Sequence, residues 1–383
     1  MNTTTRSAET AACPAATQPS TAHLIEDSPR LLLHGIDTVQ CAYALRKRGP
    51  GRINFASLLA QREALRNAKT REPGAVKIGS LEFFLAPHGS PQGFPLILTN
   101  EDYRIEFGEY INPPFFVTFK SQALWRESAA LLHRKFLDWA ASVGYVPFDD
   151  EGLSRVDFCF DYHLPQIDFD EDCFVSLSSK DSQHRQEGRV QTFTFGRSDA
   201  VLRVYDKVAE IQQQSDKVWF YQLWKRDSEV WRIEWQIRKP LLRRFDIRTF
   251  QDLQDQQGDL LRYLAEEHDT LRVRTRDSNR SRWRLHPLWS DLQAKIRTLE
   301  SLGIYKVNGK PAVLSERKIR LAVSMYGYLK RLAAVHATQT HAEHVRLDAA
   351  VSELQRLIGK VHDPLTWNLD VAKRIKAIEL GEW

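Results

Sequence analysis

Three stretches near the middle of the chain alternate polar and apolar residues, and this pattern constrains the fold more than any other feature. They read RVDFCFDY from Arg155, VLRVYDKV from Val201 and VWRIEWQIRK from Val230. Side chains of a β-strand point alternately to opposite faces of the sheet, so each stretch predicts a strand with one apolar face. The opposite faces collect acids, bases and one phenol: Asp157, Asp161, Arg203, Tyr205, Lys207, Arg232, Glu234, Gln236 and Arg238.

Further strand-like runs alternate irregularly with helical patterns around these three stretches. The run from Leu31 predicts a first strand, and Ser121 and Gly144 are placed to begin and end an amphipathic helix. This order predicts an α+β fold, with an open mixed or antiparallel sheet and helices packed on one of its faces. The strings RIEF from Arg104 and RIEW from Arg232 hint at an internal duplication.

The patterns also divide the chain into regions. Past Pro240 the strand patterns stop and helical periodicity takes over, so we expect a smaller all-helical C-terminal domain at 246–383. The alternating strands then belong to a larger domain at 30–245. Residues 1–29 are rich in Thr, Ala, Ser and Pro, a composition that predicts a disordered tail.

Composition excludes several classes of protein. No apolar run approaches the ~20 residues that cross a bilayer, so an integral membrane protein is not expected. The N-terminal residues lack the pattern of a secretory signal. Four cysteines in 383 residues match neither a disulfide framework nor a zinc site. We therefore expect a protein of the reducing cytoplasm with no membrane partner.

Positive charge is concentrated in one segment rather than spread along the chain. The formal net charge is only +5, but the segment from Leu271 to Arg284 holds six Arg and one Asp. Such an excess can neutralise nucleic-acid phosphates, although a solvated surface with ion pairs is the commoner outcome. Trp283 within it either stacks on an unpaired base or packs in the core. The residues predicted to contact DNA are Arg232, Arg238, Arg274, Arg276, Arg280, Arg282, Trp283 and Arg284.

The acids on the polar strand face suit a hard cation such as Mg²⁺ or Mn²⁺. Asp157, Asp161 and Glu234 are the predicted ligands, because crowded carboxylates repel unless a cation joins them. Asp157 and Asp161 lie about 13 Å apart along one strand, so we expect one of them, preferably Asp157, to pair with Glu234. A solvated strand face is the alternative, although acids are depleted in strands.

Tyr205 is the candidate nucleophile. Its hydroxyl, with an ordinary pKa near ~10, is a poor nucleophile without assistance. Arg203 and Lys207 flank it on the same strand face, and we expect these cations to lower its pKa and to hold a phosphate. A tyrosine beside cations and a carboxylate-bound metal ion fits phosphodiester transesterification.

The order RVDFCFD, TFTFGRSDAVLRVYDKVAE and WRIEWQIRK resembles the Rep-trans family of rolling-circle replication initiation factors, which includes relaxases of some integrative conjugative elements. The resemblance extends from Leu31 to Pro240. It implies that 30–245 is a nicking domain and that Tyr205 forms a 5′-phosphotyrosyl link and releases a priming 3′-hydroxyl. Glu210 matches the family's sequence motif. Strand alternation, however, places it on the face away from Tyr205 unless a bulge or a helix begins after Lys207.

The resemblance also implies partners. They are origin DNA, supercoiled or single-stranded at the nick site, and a host helicase and polymerase. The helical region would contribute to DNA recognition. The sequence leaves the oligomeric state open, with a homodimer as one option.

Three other functions stay open at the level of sequence. A conjugative relaxase would perform the same reaction at a transfer origin. A non-enzymatic DNA-binding regulator could keep the fold and use only the basic segment. A metal nuclease that activates water would need Asp157 but not Tyr205.

Overall fold

The structure is a computed structural model of the chain. It describes residues 28–49, 53–69, 71–178, 181–186, 189–215, 217–299 and 310–379. The predicted disordered tail at 1–29 therefore lies outside the described residues except for its last two positions.

Fifteen strands are present in the described part of the chain. They are β1 (Arg30–Tyr43), β2 (Leu45–Lys47), β3 (Gly74–Ile78), β4 (Leu81–Leu85), β5 (Leu96–Thr99), β6 (Tyr103–Phe107), β7 (Phe115–Phe119), β8 (Tyr145–Pro147), β9 (Gly152–His163), β10 (Phe174–Ser176), β11 (Asp181–Gln186), β12 (Arg189–Phe195), β13 (Ala200–Asp206), β14 (Val230–Arg238) and β15 (Asp269–Leu271).

Eleven α-helices accompany them within the described ranges. They are α1 (Phe55–Asn67), α2 (Ser121–Arg126), α3 (Ala129–Ser142), α4 (Lys207–Gln214), α5 (Phe220–Trp224), α6 (Lys239–Arg244), α7 (Phe250–Tyr263), α8 (Pro287–Ile296), α9 (Lys310–Thr340), α10 (Leu347–Val361) and α11 (Pro364–Glu379).

Eleven of the strands form one sheet in the order β11-β12-β13-β14-β9-β1-β7-β6-β5-β4-β3. Neighbouring strands of this sheet are antiparallel. The predicted α+β class, with an open sheet and a helical C-terminal region, is confirmed. The described helices include none that is long and apolar enough to cross a membrane.

The sheet consists of two halves that meet at its centre. Each half begins with a long central strand, β1 or β9, and continues into a meander whose last strand, β7 or β14, returns to pair with it. The topology is thus repeated, as the duplicated strings suggested. The strings themselves lie in different places, because RIEF belongs to β6 and RIEW to β14.

The main core lies against one face of this sheet. Phe136 of α3 packs there against Tyr43 of β1 and Phe115 of β7. Trp139 packs against Phe83 of β4, and its indole donates to the carbonyl of Ile78 at 3.0 Å. The predicted helix from Ser121 is in fact two helices, because Ser128 caps α3 and interrupts the run. Gly144 follows α3 with a φ of +92°, as its predicted stopping role requires.

Short helices also cover part of the other face of the sheet. Val208 of α4 and Phe220 and Trp224 of α5 form a second apolar cluster against β1. Gly35 of β1 lies under α2, where a side chain would come within 2.9 Å of the Trp125 ring. The polar face is therefore a pocket bordered by helices rather than an open surface.

The boundary between the compact units of the chain lies farther along the sequence than the boundary predicted at residue 245. The chain divides into compact units at Met1–Val307 and Asn308–Trp383. Helices α7 and α8 contribute to the main core of the first unit through Phe250, Leu260 and Trp289. Strand β15 lies in this region as well, paired with β10, so strands do not stop at Pro240.

Candidate active site

Tyr205 and Glu234 meet on neighbouring strands β13 and β14. Their register places Arg203 directly opposite Glu234 and Tyr205 opposite Arg232. The Tyr205 hydroxyl donates to Oε2 of Glu234 at 2.8 Å, and Arg203 donates to Oε1 of the same carboxylate at 3.2 Å. The predicted convergence of phenol, cation and acid on one sheet face is present.

A β-bulge brings in a carboxylate that sequence reasoning did not select. In the pairing of β1 with β9, Asp37 is the extra residue between Ile36 and Thr38. Bulges re-aim a side chain by shifting the strand's alternation. Asp37 accepts bonds from Ser121, Trp125, Lys217 and Arg232. Burial by itself would raise its pKa, but the cations of Arg232, Lys217 and Lys207 hold this pKa well below its ordinary value.

Arg232 links the carboxylates beneath the site. Its Nε and Nη2 donate to the two oxygens of Asp161 at 2.6 and 2.8 Å, and its Nη1 donates to Asp37 at 3.0 Å. The indole of Trp224 also donates to Asp161, at 2.9 Å. Arg232 and Asp161 are both 0% exposed. The prediction that Arg232 contacts DNA was therefore wrong, because its guanidinium is buried and fully engaged.

Asp157 lies on the other side of Glu234 with its own arginine. Arg155 donates to its two carboxylate oxygens at 2.8 and 2.5 Å. Burial raises the pKa of Asp157 to about 6, against the opposing effect of Arg155, and the negative charges of Glu234 and Asp37 add to the rise. Asp157 is thus an acid held in a crowded negative environment.

The protonation of Tyr205 differs from the sequence-based expectation. Burial raises the pKa of its hydroxyl well above the ordinary value, and the adjacent Glu234 carboxylate raises it further, which outweighs Arg232. The expected lowering of this pKa by flanking cations was wrong. The hydroxyl keeps its proton and points it at a carboxylate, which is the geometry of a nucleophile paired with a base.

Lys207 and Glu210 are positioned by a change from strand to helix. Helix α4 begins at Lys207, with Asp206 as its N-cap. Glu210 thereby returns to the site, where Lys207 Nζ donates to it at 2.5 Å. Strand alternation no longer applies to Glu210, because the helix begins at Lys207 itself. Lys207 lies 5.5 Å from the centre of the Tyr205 ring, and burial, together with Arg232 and Lys217, lowers its pKa.

These groups line a pocket of about 420 Å³ that is open to solvent. Its walls come from β1, β9, β12, β13, β14 and α4. The lining is almost entirely polar, and it comprises Asp37, Thr38, Arg155, Asp157, Gln191, Thr192, Thr194, Arg203, Tyr205, Asp206, Lys207, Glu210, Gln213, Gln214, Lys217 and Glu234. The lining holds five carboxylates and four cations, and two of the cations, Arg203 and Lys207, are close to Tyr205 along the chain. Such cations can bind an anionic group such as a phosphate.

The three predicted metal ligands do not form one metal site. Both oxygens of Asp161 are occupied by Arg232 and Trp224, and Asp161 does not line the pocket. Asp157 and Glu234 do line it, but their oxygens already accept bonds from arginine or tyrosine donors. Within the described ranges, no group of three Asp, Glu, His or Cys residues could hold a metal ion. The set of three therefore does not fit a bound cation.

The basic segment after β15 is mostly exposed but partly neutralised. Arg274 pairs with Asp170 and Asp172, and Arg280 bonds Asp172. The remaining predicted DNA-contacting arginines are exposed at the surface: Arg238, Arg276, Arg282 and Arg284.

Trp283 does not stack on DNA in this arrangement. Only 7% of it is exposed, and its indole donates to the carbonyl of Asp277 at 2.7 Å. The alternative of packing, which the sequence left open, is the one found. Trp283 anchors the loop that carries the exposed arginines.

Comparison with known proteins finds similarity to solved structures. No protein-family model and no curated protein matches the chain. Among solved structures, the chain is similar to the rolling-circle replication initiator protein from Geobacillus stearothermophilus, with 15% sequence identity and a TM-score of 0.41. The similarity covers 70% of this chain and 97% of that chain. A likeness at this level supports no particular function.

Proposed function

We propose that the chain cleaves and rejoins single DNA strands, with Tyr205 as the nucleophile and Glu234 as the base that accepts its proton. The observation that carries this proposal is the 2.8 Å hydrogen bond from the Tyr205 hydroxyl to Glu234 inside a polar pocket that Arg203, Lys207 and Lys217 also line. The pocket beside this pair distinguishes it from the hydrogen bond of the buried Tyr162 to Asp291, since neither of these two residues lines the pocket.

The reaction follows from the positions of these two groups. The phenolic oxygen attacks phosphorus while its proton passes to Glu234, and the bond from phosphorus to the 3′ oxygen breaks in line. The 3′ oxygen takes up a proton from water and leaves as a 3′-hydroxyl. The 5′ side remains attached as a phosphotyrosine, and attack by a 3′-hydroxyl reverses the step and joins strands.

Cations around Tyr205 stabilise the phosphate. Arg203 and Lys207 border the hydroxyl, and Lys217 lines the same pocket from the segment after α4. Arginine and lysine neutralise the charge that spreads over the non-bridging oxygens in such a reaction. Glu210 holds Lys207 in place rather than acting on the substrate.

The biological role proposed is initiation of rolling-circle replication at a DNA origin. The sequence resemblance supports it, and the exposed arginines of the basic segment would contact phosphates outside the pocket. Nicking of a conjugative transfer origin requires the same chemistry, so this site accommodates either role. The DNA sequence that the chain cleaves would distinguish them.

We propose Asp157 and Glu234 alone as the residues that would hold a divalent metal ion. Carboxylates that line a pocket can hold Mg²⁺ or Mn²⁺ together with substrate phosphate oxygens, and the ion would supply Lewis-acid stabilisation of the phosphate. Cleavage that stops in EDTA and returns with Mn²⁺ would support this part. Cleavage unaffected by EDTA would remove it without affecting the role of Tyr205.

The decisive experiment compares Tyr205→Phe with Tyr221→Phe, a variant of a half-buried tyrosine on α5 outside the pocket lining. Each full-length protein is incubated with supercoiled DNA of the replicon or mobile element that encodes the chain, here called its own element. The products are resolved on denaturing gels. We expect nicking and a covalent protein–DNA adduct from Tyr221→Phe but neither from Tyr205→Phe.

Other outcomes identify the competing functions. Persistent nicking without an adduct in Tyr205→Phe, lost in Asp157→Asn, would indicate a nuclease that activates water. DNA binding without cleavage by any variant or by the wild-type chain would indicate a non-enzymatic regulator. Either result would overturn the proposal.

A further inference from the structure

Strand β12 forms a wall of the pocket that the mechanism above does not use. Thr192 lies directly opposite Tyr205 in the β12–β13 pairing, and Thr194 lies opposite Arg203. Residues opposite each other on antiparallel strands have their Cβ atoms about 5 Å apart on the same face. Both threonines are half-buried and line the pocket. Their hydroxyls therefore stand beside the nucleophile and its arginine.

Among the residues that the structure describes, Thr192 and Thr194 make no side-chain hydrogen bond. Thr118, on the same sheet face in the N-terminal half, accepts one from Gln40. A half-buried hydroxyl without a protein partner keeps its donor and acceptor available for a ligand or for water.

A β-bulge enlarges this wall. In the pairing of β11 with β12, His184 pairs with Thr192 and Arg185 with Val190, so Gln191 is the unpaired extra residue. By strand alternation Gln191 would share the face of Phe193, which is buried in the core. Instead it lines the pocket with the two threonines. The bulge thus adds an amide to the two hydroxyls.

We propose that Gln191, Thr192 and Thr194, here named the β12 ledge, bind the sugar–phosphate backbone of the nucleotides next to the scissile phosphate. Threonine hydroxyls and glutamine amides are common donors to phosphate oxygens in DNA complexes, where they position the strand without reading its sequence. The ledge faces Arg203, so a phosphate bound there would receive a charge from one wall and hydroxyl bonds from the other. The inference rests on the proposed function, because it assumes that the pocket receives DNA.

The ledge is a positioning surface, and its test separates binding from chemistry. Thr192→Val with Thr194→Val removes both hydroxyls and keeps the side-chain shape, whereas Thr192→Ser with Thr194→Ser keeps the hydroxyls. Binding of a fluorescent oligothymidylate is measured by anisotropy, and cleavage of the element's own single strand gives KM and kcat. Thr118→Val is the control on the same sheet face.

We expect the double Val variant to bind about tenfold or more weakly and to raise KM with kcat little changed, since hydrogen bonds to charged groups are the stronger ones. The double Ser variant should recover binding, and Thr118→Val should bind like wild type. Wild-type affinity and KM in the double Val variant would overturn the ledge. Weak binding in both double variants would do the same, since shape rather than hydroxyls would then matter.

The two proposals can fail separately. A wild-type chain that binds oligothymidylate and loses this binding in the double Val variant, but never forms an adduct, would refute the nicking function alone. Adduct formation with unchanged binding and KM in the double Val variant would refute the ledge alone.

Discussion

The two halves of the large sheet share a topology but differ in what they place at the same position. In the C-terminal half, β13 next to the returning strand carries Arg203 and Tyr205, which meet Glu234 across the strands. In the N-terminal half, the corresponding strand β6 carries Arg104 and Glu106, which pair with each other at 3.1 Å. The same scaffold thus holds a tyrosine hydrogen-bonded to a glutamate of the next strand in one half and a self-contained ion pair in the other.

The difference lies in how the carboxylates are used. Glu234 accepts a phenolic proton donor in a pocket, whereas Glu106 is buried, with one oxygen bonded to Arg104 and the other without a partner in the described part of the chain. Repetition of a strand pattern therefore does not repeat a site. Chemistry arises where a second strand brings the complementary group within hydrogen-bond distance.

The largest expected effect is on the rate of nicking, and it distinguishes Glu234 from Glu106. Glu234→Gln keeps the shape but cannot accept the proton of Tyr205, so we expect single-turnover nicking to slow by roughly 10²–10⁴-fold. Glu106→Gln should leave nicking unchanged. Quenched-flow or gel assays on the same DNA measure both rates. Equal losses in the two variants would mean that the carboxylates do not differ in role.

A second comparison concerns the stability of the two arginine pairs. Arg232→Met leaves Asp161 as a buried charge without its arginine, so we expect the free energy of unfolding to fall by about 3–5 kcal/mol. Arg104→Met also leaves a buried carboxylate, Glu106, but Arg104 is 39% exposed and makes a single bond to it, so we expect a smaller loss than for Arg232→Met. Urea titrations followed by tryptophan fluorescence give both values. A small loss for Arg232→Met would contradict the structural role assigned to it.

A third, smaller effect is a pH dependence from Asp157. Its pKa is about 6 in the folded chain and 3.8 as the ordinary value, so between these pH values the folded state binds more protons than the unfolded state. Stability must then fall as the pH rises through this window, by roughly 3 kcal/mol in total. In Asp157→Asn this contribution disappears. Urea titrations at pH 4.5 and 7 test it, and an identical pH dependence in both proteins would refute it.

Parts of the fold could be predicted because their signals are local. Period-two alternation marked β9, β13 and β14, and it put Tyr205 and Glu234 on one face before any pairing was known. The only further assumption was that β13 and β14 are neighbours in the sheet. The basic segment was equally visible, since charge clustering needs no tertiary information.

Other parts could not be predicted because they depend on distant partners. Asp37 and Gln191 enter the pocket through β-bulges, which shift strand alternation and have no reliable sequence signal. The pKa of Tyr205 depends on burial and on the Glu234 carboxylate, which comes from another strand. Alternation along the strand placed Arg232 on the polar face. In the structure its guanidinium is buried and donates to Asp161 and Asp37, and Trp224 donates to the same Asp161.

The amino-acid sequence by itself determined which side chains share a strand face, because alternation is a property of the extended backbone. It therefore selected the phenol, the arginine beside it and the carboxylate opposite. Only the tertiary structure decided which carboxylate accepts the hydrogen bond of the Tyr205 hydroxyl and which arginine is buried. Those choices depend on strand register, bulges and burial, and each of these arises from contacts between segments that are remote in sequence.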